Sequence, residues 1–437
     1  MTGHTRDTTE ATGGATEITD VTAWEVLDSR GNPTVRAEVE AGGATGRFTV
    51  PAGASTGEHE AVERRDGGER YGGMGVRDAV ESVNEDLAPL VVGRDPTDQS
   101  AIDAAMTEFD GTASLSAVGA NAILAVSGAV VHAASATAGR PLHAHLAATR
   151  GIERSLPLPM VNVISGGLHA EGGIEVQDFL VVPTGAETYE EALETAWDVR
   201  RAVRDRIVAD GHHPLVADEG GFAPPFSAVR DAFELLESGI EAAEYAPGDD
   251  AAVAVDVAAS HFYDPATETY AIESVDRTLD REGMTDLVAE WVADYPVVSV
   301  EDPLAEGDWD GWVRLADRLS DGVQLLGDDL LATDADRLAR AVDRGAASAV
   351  LVKPNQAGTM TRAFDVVAAA TDAGFAPVVS ARSGETCDAT IADLAVGLGA
   401  GQIKIGSLAR SERLAKYNRL LEIERRADLP LARPFDE

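Results

Sequence analysis

Lysine is rare in this chain. Only Lys353, Lys404 and Lys416 occur, although lysine and arginine together number 35. Lys353 ends the apolar run Ala349-Val350-Leu351-Val352, which reads as a buried strand, and Pro354 stops the strand ladder directly behind it. An isolated lysine at such a place ordinarily snorkels to water. A sequence that avoids lysine and still places one there points to work arginine cannot do, since arginine stays protonated while a desolvated lysine can act as a base. Three acids close similar runs, at Asp256, Glu301 and Asp328. Any one of them could be a helix cap. Three on consecutive strands, without a basic residue at those ends, would repel one another unless a cation lay between them. Carboxylate oxygens suit Mg²⁺, with Asp302 and Asp329 beside them to orient the ligands. A lysine base beside such a metal would serve to remove a proton next to a carboxylate through a metal-stabilised enolate. Lys404 would add positive charge on the same side and help keep Lys353 neutral.

Two further stretches fit this chemistry. Glu219 stands in the glycine turn Asp218-Glu219-Gly220-Gly221, either as a solvated turn residue or as a general acid facing the lysine. Arg382-Ser383-Gly384 is either an ordinary helix start or a phosphate contact made by guanidinium and hydroxyl.

For these residues to meet, the chain must bring distant strand ends together. Apolar runs end at Asp256, Glu301, Asp328, Lys353, Ser380 and Lys404, with helical spans between them. Strand–helix units of this length imply parallel strands with right-handed crossovers. With two earlier strands, Met160–Ile164 and Gln177–Pro183, they make eight, the number that closes a β/α barrel whose carboxyl ends share one face. An open doubly wound sheet is the alternative, but no G-x-G-x-x-G turn supports it. Before the barrel, short strands followed by helices predict a separate α+β domain over 18–150, leaving 151–437 for the barrel. The small-residue loop Pro51–Gly57 is a connector or a mobile lid. Residues 1–17 read as a disordered extension without a signal peptide. Ala120–Ala138 is the nearest approach to a membrane span, and a buried helix explains it better.

Composition narrows the setting. With 75 acidic residues and a formal charge of −40, the surface repels nucleic acid and anionic lipid. Concentrated salt screens such self-repulsion, so the composition suits a salt-rich cytoplasm. Cys387 is the single cysteine, which excludes a disulfide framework and a thiolate zinc site. A soluble cytoplasmic protein is expected.

From about Ile18 to Ile423 the sequence resembles the enolase family. The resemblance is carried by Leu27-Asp28-Ser29-Arg30-Gly31-Asn32-Pro33-Thr34-Val35, Gly53-Ala54-Ser55-Thr56-Gly57, Gly119–Ser127, Asp218–Pro224, Leu351-Val352-Lys353-Pro354-Asn355-Gln356 and Arg410–Asn418. With the acid-rich, lysine-poor composition it points to a halophilic archaeal member. It implies a barrel with an N-terminal capping domain, and reversible dehydration of 2-phosphoglycerate to phosphoenolpyruvate with two Mg²⁺ per site. By matching position, Lys353 is the base and Glu219 the acid. Asp256, Glu301 and Asp328 hold the first Mg²⁺, and the loop bearing Ser55 closes over the phosphate and helps hold the second. His169, Gln177, Asp178, Arg382, Ser383 and Lys404 are substrate contacts. The resemblance also implies a homodimer or homo-octamer. Lys416 reads as an ordinary helix pair with Glu412.

Four positions depart from the family pattern. Ala381 stands where the family has histidine, Asp178 where it has glutamate, Ser165 where it has asparagine, and Cys387 where it has an acid. The first two set other readings beside the active enzyme: a paralogue acting on another hydroxy acid, or a weakly active or non-catalytic binding relative.

Overall fold

The structure, a computed structural model, describes residues 16–54, 57–170, 173–319 and 322–436. Ser55 and nearly all of the N-terminal extension therefore lie outside the described residues. An antiparallel meander opens the chain: β1 (Ile18–Leu27), β2 (Pro33–Ala41) and β3 (Ala44–Thr49). In β2 the valines and alanines Val35, Ala37, Val39 and Ala41 are buried while alternate residues face outward, the half-exposed pattern of a sheet with one covered face. The cover is the helix Ala120–Thr137, almost every residue of which is buried. It is long and apolar enough to cross a membrane by composition, and here it is the core of this domain. Its approach to β3 is so close that a Cβ on Gly46 would sit 2.1 Å from the carbonyl oxygen of Ala129.

The remainder closes as a barrel. Around the ring run β4 (Leu158–Ser165), β5 (Asp178–Val182), β6 (Ala252–Asp256), then β10 (Val297–Glu301), β11 (Gln324–Gly327), β12 (Ala349–Val352), β13 (Ala376–Ser380) and β14 (Gln402–Gly406), which pairs back to β4. Between β6 and β10 a small antiparallel sheet, β7 (Tyr263–Asp264), β8 (Thr269–Ile272) and β9 (Arg277–Leu279), projects from the wall.

One expectation fails. The barrel is not all parallel, because β5 runs antiparallel to both β4 and β6. Among its described residues, the link from β4 to β5 carries one short helical turn, Gly167–His169. A parallel return is usually made by a helix packed on the sheet, and this link, without a full crossover helix, folds back as a hairpin. The reversal brings the first residue of β5 to the face where the parallel strands end, with Asp178 paired in register with Asp256, the last residue of β6.

The helices form the outer layer. Tyr189–Ala209 starts on a capping box in which Thr188 accepts from the Glu191 amide. Val229–Ala242 buries Phe233, whose ring meets Phe179 edge-on at 4.9 Å and stacks on Tyr295 at 4.7 Å. This aromatic cluster ties the reversed strand to the outer layer. Phe233→Ala is expected to destabilise the fold by about 3–5 kcal/mol, read as a lowered urea midpoint with an unchanged slope.

Candidate active site

The capping domain meets the barrel at the segment after β13. Ala52 and Gly384 exchange backbone hydrogen bonds of 2.8 and 2.9 Å, and Ser29 donates its amide to the Glu385 carbonyl at 2.7 Å. A Cβ on Gly384 would stand 2.6 Å from both the Ala52 carbonyl oxygen and an Asp28 carboxylate oxygen. Asp28 in turn caps its own turn through the amides of Arg30 and Asn32. Ala54 donates its amide to Ser383 Oγ at 2.6 Å. These contacts place the root of the Ser55 loop over the barrel mouth.

Beneath that seam one cavity is lined by Gly53, Ala54, His169, Gln177, Glu219, Asp256, Asp328, Lys353, Ser380, Ala381, Arg382, Ser383, Lys404 and Ile405. Except for Ser55, every residue singled out for chemistry lines this cavity or lies against it. Glu301 is the buried neighbour of Asp256 across the ladder, and Asp178 sits behind His169. Lys404 is placed differently from expectation, two residues inside β14 rather than at its end.

The charges pair closely. Lys404 Nζ donates to Asp256 Oδ2 and Glu301 Oε2, each at 2.7 Å, and Lys353 Nζ donates to Asp328 Oδ2. The expectations of acids without basic compensation and of a neutral Lys353 are therefore corrected. Burial pushes the Lys353 ammonium toward losing its proton, but the Asp328 charge outweighs it and holds the group above the usual lysine range. Burial and then the Asp256 charge push the Glu301 carboxyl well above the ordinary range.

The three carboxylates fit a hard cation. They come from adjacent strands, outnumber the two ammonium groups, and Glu301 Oε1 is buried without a hydrogen-bond partner. A divalent ion would use that oxygen and offset the excess charge. The backbone supports the set: Asp302, at a φ of 42°, accepts from the Asp328 and Asp329 amides at 2.9 and 2.7 Å. Glu219 projects from a turn closed by Gly220, at a φ of 88°, and its carbonyl accepts from the Ser407 amide.

Residues that sequence reasoning passed over complete the site. Glu60 forms a two-pronged pair with Arg382 at 2.9 and 3.2 Å. Arg413, fully buried, donates to the carbonyls of Arg382, Ile405 and Ser383 and lies 3.9 Å from Glu219. An acid shortly after the small-residue loop was the visible signal for Glu60. Arg413 had no local signal beyond its stretch. Lys416 also departs from expectation: its ammonium is buried against Glu385 at 2.8 Å and the carbonyls of Thr386 and Glu412, and makes no pair with the Glu412 side chain.

Asp178 is held by Asn162 Nδ2 at 2.6 Å and Ser165 Oγ at 2.8 Å, and its second oxygen takes His169 Nδ1 at 2.9 Å. Ser165 thus grips Asp178 from the end of the preceding strand. Burial alone would lower the His169 pKa, but the Asp178 and Glu219 charges raise it to about 9. A histidine with a folded pKa above its unfolded value of about 6.5 stabilises the fold fully below that value, and the contribution disappears as pH rises toward about 9. Metal-free wild-type protein should therefore lose urea stability between those limits. Asp178→Asn should flatten that slope; an equal slope in both proteins would refute the assignment.

Two family descriptions match the chain. "Enolase, N-terminal domain" covers residues 18–146 and "Enolase, C-terminal TIM barrel domain" covers residues 153–429. The separate N-terminal meander with its helices and the closed eight-strand barrel fit these two descriptions. The chain belongs to the enolase family.

Proposed function

We propose that the protein catalyses the reversible dehydration of 2-phospho-D-glycerate to phosphoenolpyruvate, as a hydro-lyase of glycolysis and gluconeogenesis. The observation that carries this reading is the placement of unlike groups around one cavity. Lys353 follows β12, while Asp178 opens β5, four strands away around an eight-strand ring and so on the opposite wall. Glu219 stands on that opposite side beside His169, at 4.0 Å. A base and a proton donor facing each other across a cavity suit removal of a proton from one carbon and a hydroxyl from the next.

In this reading Lys353 takes the proton from the carbon next to the carboxylate. It can do so once its ammonium has shed a proton and its grip on Asp328 has loosened; the nearby Arg382 charge favours that loss. Glu219 delivers a proton to the departing hydroxyl. Glu219 is ionised here, since Arg413, His169 and the lysines outweigh its burial, and His169 supplies the nearest proton to recharge it. Arg382 and Ser383 hold the phosphate, and Gln177 and Lys404 orient the carboxylate end. Asp256, Glu301 and Asp328 would hold Mg²⁺, which supplies electrostatic stabilisation of the negative charge gathering on the substrate carboxylate. A second Mg²⁺ would be held with help from Ser55. A lysine base with Mg²⁺ is the known solution of enolase-superfamily sites. Cytoplasmic location, a salt-rich setting and assembly as a homodimer or homo-octamer belong to the same proposal.

A second reading is favoured by Ala381, which presents a methyl group to the cavity where the family has histidine. In it, the same proton abstraction acts on a different hydroxy acid, or the site binds such an acid without turnover. The deciding assay is purified protein with 2-phosphoglycerate and Mg²⁺ in concentrated potassium chloride, following enol absorbance. Phosphoenolpyruvate should form, and its absence would remove the first reading. Lys353→Ala should abolish solvent exchange of the substrate's α-proton while Mg²⁺ still binds; persistent exchange would mean that another group is the base.

A further inference from the structure

We propose that Gln356 is a positioning residue that couples anion binding at Arg382 to cation binding at Asp328. The proposal rests on the roles just assigned to those two residues. Gln356 is 2% exposed and lies in the short helix Pro354–Ala357 directly after Lys353. Its side-chain nitrogen donates to Asp328 Oδ1 at 2.9 Å and to Glu60 Oε1 at 3.3 Å. Its side-chain oxygen accepts from Thr333 Oγ1 at 2.7 Å. Only one orientation of the amide works, because turning it over would set its oxygen against two carboxylates.

Each partner of this amide leads somewhere different. Thr333, held at a φ of 49°, accepts the backbone amide of Lys353 at 2.9 Å. Glu60 grips Arg382 and also accepts the Gly57 amide at 3.1 Å, at the root of the Ser55 loop. The Gln356 carbonyl takes the Ala61 amide at 2.9 Å, which pins the same loop from its other side. A phosphate arriving at Arg382 competes with Glu60 for one guanidinium. As Glu60 loses part of that partner, its carboxylate draws more strongly on the Gln356 amide. The other hydrogen of that amide holds an oxygen of Asp328, so the carboxylate offered to a cation shifts with it. By thermodynamic reciprocity, cation binding alters phosphate affinity by the same factor.

Isothermal titration of Mg²⁺ into the full chain, with and without inorganic phosphate, measures this factor. In about 1 M potassium chloride the Debye length falls to ~3 Å, which suppresses direct attraction between the two ligands. Wild-type protein should show a Mg²⁺ Kd changed about fivefold or more by phosphate. Gln356→Met, of similar volume but unable to make these bonds, should lose most of that factor while keeping a folded near-ultraviolet spectrum. Glu60→Gln, which keeps an acceptor for Gln356 but removes the charge on Arg382, should lose it as well and serves if the first variant does not fold. No phosphate effect in the wild type, or a full effect in a folded variant, overturns the proposal. Turnover of 2-phosphoglycerate is measured separately. Absent turnover with coupling that depends on Gln356 would sink the dehydration reading alone, whereas turnover with coupling independent of Gln356 would sink this inference alone.

Discussion

Everything at the barrel mouth depends on charges buried together. Isolated, each of Asp256, Glu301 and Asp328 would be very costly to bury. They persist because Lys404 bridges two of them and Lys353 holds the third. Such a cluster is stable only when its geometry is fixed, and the barrel fixes it, because adjacent strands in register set the spacing of their terminal side chains. An ammonium group suits this bridging position. Compact, with three rotatable donors, it can sit between two carboxylates where a planar guanidinium could not turn. The third lysine, Lys416, is also buried against an acid, Glu385. The chain thus keeps each of its lysines for an interior charge and leaves its surface to arginine and acids.

The cap is the second constraint. The meander and the helix Ala120–Thr137 are positioned on the barrel by a few polar contacts. The Met360 amide donates to Ser127 Oγ, and the Thr49 amide donates to Asp388 on the segment after β13. That segment also carries Arg382 and Ser383. The seam that joins the two layers is therefore also a wall of the cavity. Arg413 reinforces it from behind by holding three carbonyls at once.

Much of this was legible in the residues. The rhythm of apolar runs ending in Asp256, Glu301, Asp328, Lys353 and Ser380 gave the strand count and brought those residues to one face, because the period of strand and helix is a local property. The direction of β5 was not legible from that rhythm; it depends on the missing helix before it, and an apolar strand has the same pattern in both directions. The ion pairs were hidden for a similar reason. Lys404 meets Asp256 across 148 positions of sequence, and only closure of the ring makes them neighbours. Ser165 shows the limit most clearly. As a lone serine it carries no message, yet in the fold it is the hydroxyl that reaches the buried acid at Asp178.

The reversed strand has a consequence for how this site can change. In a parallel barrel each wall of the mouth is edited through the loop that follows its strand, one wall at a time. Here a single hairpin leaves β4 at Ser165 and enters β5 at Asp178, carrying His169 and Gln177 between them. The hydroxyl, the imidazole, the amide and the acid on this wall thus form one contiguous cassette, separate in the chain from the strands that hold Lys353, Asp256, Glu301 and Asp328. Ser165 and Asp178 stand at the two ends of that cassette and touch each other, so a change at one end is felt at the other.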